Sequence, residues 1–135
     1  MIEAKTGLVI RYVYLWARER DRGEETGRKD RPVCVQMMIS DRLGQQLALL
    51  FPITSRQPAP AMQAVSLPEI EARRTGLRTP EWVIVEEWNE ESDLRSSANI
   101  ADPEPLGSFS KAFVLELRQA AIRAIKARKY RAVRR

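Results

Sequence analysis

Short apolar runs separated by proline, glycine or charged residues constrain the fold of this chain more than any other feature. β-branched and aromatic residues dominate these runs, which is typical of β-strands. Proline cannot donate to a sheet ladder, but Pro32 is tolerated at the first position of a strand. The runs predict strands at Leu8–Trp16, Pro32–Ile39, Gln46–Phe51, Ala64–Leu67 and Trp82–Trp88.

The segments between these runs predict loops. Ala17–Asp30 is highly charged and contains two glycines, which indicates a long mobile loop. Asp41–Gln45 predicts a polar turn, and the prolines of Arg56–Pro60 predict a loop. Asn89–Pro105 is rich in Ser, Asn, Asp, Glu and Pro and predicts an irregular surface segment. Glu69–Gly76 predicts a short helix that ends at its glycine.

One segment near the C-terminus has a helical period. Ser108 or Ser110 can cap this helix. The apolar residues that recur at helical spacing are Phe113, Val114, Leu117, Ala121 and Ile125. We expect the basic tail 129–135 to fray beyond the helix. Residues 1–135 therefore predict a single, mainly β domain, a small barrel or strongly bent sheet, with one C-terminal helix packed on it.

The composition limits the chemistry that is open to this chain. No histidine is present, which removes the commonest general acid/base and the commonest metal ligand. The single cysteine, Cys34, cannot form an internal disulfide. No apolar run is long enough to cross a bilayer, and the N-terminal residues lack the apolar core of a signal peptide. We expect a cytoplasmic protein that holds no metal, does not bind a membrane and uses other side chains for any catalysis.

The charge distribution favours a polyanionic partner. The formal net charge is +5 and the isoelectric point is near 9.8. Arginine and lysine crowd Arg18–Arg31 and Arg123–Arg135, whereas Glu81–Asp93 is acidic. One basic face and one acidic ridge are the expected result, and the basic face suits phosphates.

Four motifs, taken in order, resemble one known family. They are Gly7-Leu8-Val9, the stretch from Arg28 to Val33 that contains Arg31-Pro32, Pro52-Ile53-Thr54-Ser55, and Val83-Ile84-Val85-Glu86-Glu87. This succession resembles the MazF/PemK toxins of type II toxin–antitoxin systems. The resemblance implies an SH3-like barrel of the CcdB/MazF type and a homodimer that a cognate antitoxin protein neutralises. It also implies cleavage of single-stranded RNA without a metal or cofactor.

The resemblance also implies site residues. By motif position, Arg31 matches the catalytic arginine of the family, Thr54 its active-site threonine, and Glu87 lies near an acidic position that some members use as a base. Arg28, Lys29 and Ser55 are the expected RNA-binding neighbours. Val85 stands where some members carry a second arginine, and the segment 90–107 is longer than in compact members.

Metal-free RNA cleavage needs a base, a group that stabilises the phosphorane and a proton donor. The guanidinium of Arg31 suits the phosphorane, because it stays charged and matches two phosphate oxygens. The hydroxyl of Thr54 can bind a phosphate oxygen or orient Arg31, and Glu87 can serve as base if burial near Trp82 and Trp88 raises its pKa. Each residue also has a purely structural interpretation: a strand-capping arginine, a threonine that closes a turn, and an exposed carboxylate.

Two other functions remain open from the sequence. One is a non-catalytic, CcdB-like binder of a protein target such as gyrase, and the other is a decayed nucleic-acid-binding barrel. Aromatic residues can stack on bases, but strand aromatics usually lie in the core. We therefore expect at least two of Tyr12, Tyr14, Trp16 and Trp88 to be buried.

Overall fold

The computed structural model describes residues 2–39 and 44–135. Its strands are β1 (Leu8–Val13), β2 (Asp30–Ile39), β3 (Gln46–Thr54), β4 (Ala64–Ser66), β5 (Trp82–Ile84), β6 (Glu87–Glu91), β7 (Gly107–Ser108) and β8 (Arg131–Arg134). Its α-helices are α1 (Ala17–Asp21), α2 (Glu69–Thr75) and α3 (Lys111–Lys126), and Leu94–Ser96 forms a 3₁₀ turn. The mainly β class with a C-terminal helix is confirmed.

The sheet curls around β3. Its strands follow the order β4-β5-β3-β2-β1-β7, and β6 joins β3 to β8. The first half of β3 pairs with β6 and its last two residues pair with β5, so one strand serves two branches of the sheet. All pairings are antiparallel except that of β6 with β8. The result is a curled antiparallel half-barrel.

Apolar side chains fill both faces of this sheet because neighbouring residues of a strand point to opposite sides. Val9 and Phe51 belong to the core under α2 and α3, whereas Ile10 and Val33 belong to a second core on the other face. All four aromatic residues considered above are buried, which confirms their place in the core. Those residues are Tyr12, Tyr14, Trp16 and Trp88.

The local helix signals are confirmed. Helix α2 ends at Gly76, whose φ of 69° is the left-handed conformation that favours glycine. The side chain of Ser110, one of the two expected caps, accepts a hydrogen bond from the Phe113 amide at 3.2 Å. Phe113 and Leu117 are buried, but Ile125 is 42% exposed and lies outside the core.

The expectation of a long mobile loop at Ala17–Asp30 is wrong at its start, where α1 forms. The Glu19 carboxylate accepts a hydrogen bond from the Trp16 amide at 3.0 Å. The Glu87 carboxylate, distant in sequence, accepts one from the Ala17 amide at 2.8 Å. Two carboxylates therefore satisfy amides at the helix N-terminus that have no partner within the helix.

The expected strand Trp82–Trp88 is two strands, because its two ends have different partners. β5 pairs with β3 and β4, and β6 pairs with β3 and β8. β6 also extends through Glu91, into the segment that was expected to be irregular. Asn89 is fully buried there and bonds both the amide and the carbonyl of Leu15, at 2.9 and 2.7 Å.

The expectation that the tail frays is also wrong. Arg131–Arg134 forms β8, parallel to β6. The strand prediction at the N-terminus was too long, since β1 ends at Val13, and that for β3 was too short, since β3 reaches Thr54. The predicted turn at Asp41–Gln45 lies mostly outside the described residues. Within those residues, every helix is too short or too polar to span a bilayer.

Candidate active-site cleft

A cleft of about 860 Å³ opens where β2 begins and β3 ends. Antiparallel pairing places Val33 opposite Pro52, and continuing that register brings Arg31 level with Thr54. Both residues line the cleft. Its wall also holds cationic and acidic side chains: Arg11, Arg18, Arg28, Lys29, Arg31, Arg56, Glu19 and Asp30. Six cations and two acids make this surface complementary to a polyanion.

Among the described residues, no carboxylate forms an ion pair with Arg31. Its Nε atom is buried and has no hydrogen-bond partner among the described residues. Burial, followed by the nearby charge of Arg18, lowers the pKa of the Arg31 guanidinium. A buried donor without a partner is costly. This arrangement therefore favours an anionic ligand that would supply the missing acceptor.

The ring of Trp16 supports the Arg31 guanidinium. The Arg31 Cζ atom lies 4.9 Å from the ring centroid, and the Arg18 Cζ atom lies 4.8 Å from it. Both distances are typical of cation–π contacts. Trp16 itself packs edge-to-face on Tyr14, with centroids 4.9 Å apart. The aromatic pair thus positions two guanidinium groups at one wall of the cleft.

Thr54 serves the fold and still faces the cleft. Its Oγ1 atom accepts a hydrogen bond from the Arg56 amide at 3.1 Å, so the residue does close a local turn. That bond uses only an acceptor site of the hydroxyl, and the proton of the hydroxyl remains available to a ligand. Ser55, predicted as an RNA contact, lines the same wall.

Arg28 and Lys29, also predicted RNA contacts, line the cleft but differ in pairing. The Arg28 guanidinium binds the Glu24 carboxylate at 2.9 and 3.0 Å and lies 3.5 Å from that of Glu19. The hydrogen bond that Arg28 donates to Glu24 raises the pKa of Arg28. Lys29 has no ion-pair partner in the described part of the chain, so its charge is available to a ligand.

Glu87 is the predicted site residue that does not line the cleft. Its Oε2 atom accepts hydrogen bonds from the Tyr14 hydroxyl at 3.0 Å and from the Ala17 amide at 2.8 Å. Burial raises the pKa of this carboxyl, as the sequence argument required. Its partners are Tyr14 and α1, however, so Glu87 lies behind the wall that Tyr14 forms.

Replacing Glu87 with glutamine should raise stability more at neutral pH than in acid. A raised pKa means that folding favours the protonated Glu87 carboxyl. The stability that this group contributes is fully present below its pKa in the unfolded chain, and it is lost as the pH rises through its pKa in the folded protein. Glutamine is neutral throughout and can accept both hydrogen bonds. The melting temperature of Glu87→Gln minus that of the wild type should therefore increase as the pH rises from about 4 to about 7.

The adjacent Glu86→Gln is the matched control for that series. The Glu86 carboxylate accepts its hydrogen bond from the Gln63 amide and not from Tyr14 or α1. A wild-type protein that gained stability over Glu87→Gln as pH rose would contradict the assigned environment of Glu87.

Sequence reasoning assigned no site role to several residues of the cleft wall, among them the charged residues Arg11, Glu19, Asp30 and Arg56. Arg11 and Asp30 form an ion pair at 2.5 Å across β1 and β2, and this pairing lowers the pKa of Asp30. Arg56 follows the Pro52–Ser55 motif by one residue. The position of Arg56 just after Ser55 could have indicated that it belongs to the site. The Arg11–Asp30 pair could not be predicted, because it depends on the register of β1 and β2, which the periodicity of the sequence does not determine.

Comparisons with known proteins do not assign this chain to a family. It matches no model of a protein family and no curated protein sequence. Across residues 2–39 and 44–135, no three His, Cys, Asp or Glu side chains are grouped closely enough to hold a metal ion.

Proposed function

We propose that this chain is a metal-independent endoribonuclease toxin of the MazF/PemK kind, with an SH3-like barrel that acts as a homodimer. Its substrate is single-stranded RNA and its inhibitor is a cognate antitoxin. One observation carries the proposal: Arg31, with a buried and unpartnered Nε, shares a cationic cleft with the hydroxyl of Thr54. The order of the four sequence motifs supports it.

In the proposed reaction the 2′-hydroxyl of the RNA attacks the adjacent phosphorus. A bond forms between phosphorus and the 2′ oxygen, and the bond to the 5′ oxygen breaks. The 2′-hydroxyl gives up its proton and the departing 5′ oxygen takes one, so the products carry a 2′,3′-cyclic phosphate and a 5′-hydroxyl. Negative charge grows on the non-bridging oxygens, where Arg31 offers a charged donor fork and Thr54 a hydroxyl proton.

Proton transfer in this reaction involves Glu87 only indirectly. Glu87 does not line the cleft, whereas Tyr14, which donates a hydrogen bond to it, does. The carboxylates that line the cleft, Glu19 and Asp30, both lie against arginines. This observation favours a second candidate function, a nucleic-acid-binding barrel that does not cleave.

The deciding experiment incubates the purified protein with single-stranded RNA in excess EDTA and maps the new ends. Cleavage that leaves a 5′-hydroxyl and a cyclic phosphate is the expected result. Bound but intact RNA would reject the nuclease and leave the second candidate. RNA that is neither bound nor cut would reject both, and inhibition of gyrase supercoiling would then favour a protein-binding toxin.

A further inference from the structure

A second, shallower groove lies beside the cleft. It is lined by Ala61, Glu86 and the four residues Arg128–Arg131. Ala61 is the immediate neighbour of Met62, and Met62 lines the cleft. The loop that carries Ala61 and Met62 therefore contributes to both depressions.

Tyr130 provides a rigid aromatic surface at this groove. Its ring stacks on that of Trp88, with centroids 5.4 Å apart and an interplanar angle of 7°. Trp88 is only 3% exposed and packs edge-to-face on Phe51, so it is fixed in the core. Tyr130 is 44% exposed. A buried partner thus holds the ring flat while much of its surface is open to solvent.

Two cations without ion-pair partners precede this ring in the chain. Within the described residues, Arg128 and Lys129 form no ion pair. Both are exposed and line the groove. Arg131, in contrast, binds Asp21 through two hydrogen bonds of 2.8 and 3.1 Å. The one acid of the groove, Glu86, accepts the Gln63 amide at 3.1 Å. The charge that is free for a ligand is therefore positive.

We propose that this Tyr130 groove is an accessory subsite for single-stranded nucleic acid. One base stacks on Tyr130, and Arg128 and Lys129 contact the phosphates beside it. A stacking ring with neighbouring cations suits any nucleotide, because every base has an aromatic face and every linkage has a charge. The identity of the polymer as RNA rests on the proposed function. The groove would extend the RNA-binding site of the cleft beyond the reacting phosphate.

The test measures binding and not cleavage. Fluorescence anisotropy is recorded with labelled 2′-O-methyl RNA, which lacks the attacking hydroxyl, in lengths of about four and about twelve nucleotides. Tyr130→Ala should weaken binding of the longer oligonucleotide by about tenfold, the loss of one stacked base, and leave the shorter one unchanged. Tyr130→Phe keeps the ring and should bind both lengths as the wild type does.

A second variant addresses the charge without altering the aromatic stack. Lys129→Ala should reduce the slope of log affinity against log salt by about 0.7 for the longer oligonucleotide, the value for one lost phosphate contact on a single strand. Lys129 is exposed, so its replacement is not expected to disturb folding. Equal binding by wild type, Tyr130→Ala and Lys129→Ala at both lengths would overturn the proposal.

The outcomes for the groove and for the nuclease are separable. If the wild type cuts no RNA but Tyr130→Ala still loses affinity only for the longer oligonucleotide, the groove stands and the nuclease falls. If RNA is cut and Tyr130 does not affect binding, the reverse holds. Capture of an acidic peptide that depends on Tyr130, with no effect on the oligonucleotides, would make the groove a protein-binding site and overturn the subsite.

Discussion

Replacing Arg31 with methionine should lower RNA cleavage by at least about 10²–10³-fold, the usual loss when one donor to a developing oxyanion is removed. Arg31 lines the cleft and forms no ion pair within the described residues, so its charge remains available to a ligand. Methionine keeps much of the apolar stem that lies beside Trp16 and removes the charge. The change should therefore act on the transition state and not on the shape of the cleft.

The same substitution should leave stability unchanged or raise it. Burial and the charge of Arg18 lower the pKa of Arg31, which means that folding disfavours its charged form. Removing the charge relieves this cost, although it also removes the cation–π contact with Trp16. Most substitutions of partly buried residues lower stability. An inactive protein with an unchanged or higher melting temperature would mark a residue kept for function.

Single-turnover cleavage rates and melting temperatures of the purified variants test both expectations. Arg73→Met is the matched control, because Arg73 lies on α2 with an exposed side chain and does not line the cleft. Arg31→Lys keeps a charge but loses the fork, and should recover only part of the rate. A fully active Arg31→Met variant would remove Arg31 from the mechanism. A large fall in melting temperature would show that the arginine is structural.

Local signals explain what the sequence could predict. Ser110 begins one helix and Gly76 ends another through contacts within a few residues. The sequence pattern alone therefore locates these helix ends. Arg31 and Thr54 were predicted to share one site from their motifs. The structure brings them together because β2 and β3 are consecutive antiparallel strands, and the start of one lies beside the end of the other.

Long-range contacts explain what the sequence could not predict. Helix α1 depends on the Glu87 carboxylate, and the break between β5 and β6 places that carboxylate behind Tyr14. The alternation of apolar and polar residues along a strand does not predict such a break. Burial does raise the pKa of Glu87, which was the condition for its role as a base, but its position outside the cleft lining was not predicted. The tail was missed for the same reason, since its contacts lie more than thirty-five residues away.

Replacing Arg135 with alanine should lower the free energy of unfolding by about 2–4 kcal/mol. The Arg135 guanidinium donates to the Val13 carbonyl at 2.7 Å and to the side-chain oxygens of Asn89 and Asn99 at 2.9 and 3.1 Å. It also lies 5.6 Å from the ring centroid of Tyr12. Alanine would remove this donor from all three acceptors, of which the Asn89 oxygen keeps the Leu15 amide as a second donor, and a buried acceptor left unsatisfied is costly.

A buried acid makes this loss larger than that of an ordinary surface arginine. The Glu91 carboxylate accepts hydrogen bonds from Tyr12 at 2.6 Å, Ser97 at 2.5 Å and Asn99 at 3.1 Å. Tyr12 and Asn99 are also partners of Arg135, so the guanidinium balances this buried charge through two shared neighbours. Removing the guanidinium leaves the Glu91 carboxylate its three hydrogen bonds but takes a bonded neighbour from two of its donors, Tyr12 and Asn99.

Urea denaturation of Arg135→Ala and Arg134→Ala tests the prediction with two neighbouring residues, the last of β8 and the one that follows it. The Arg134 side chain is exposed, and its carbonyl, which accepts from Arg20, is retained in alanine. Arg134→Ala should therefore stay within about 0.5 kcal/mol of the wild type. Equal losses in the two variants would mean that the basic tail acts only through its general charge. A loss confined to Arg135→Ala would show that one guanidinium holds β8 against the core. Helix α1, which contributes Arg18 and Glu19 to the cleft wall, contacts β8 through the Asp21–Arg131 ion pair.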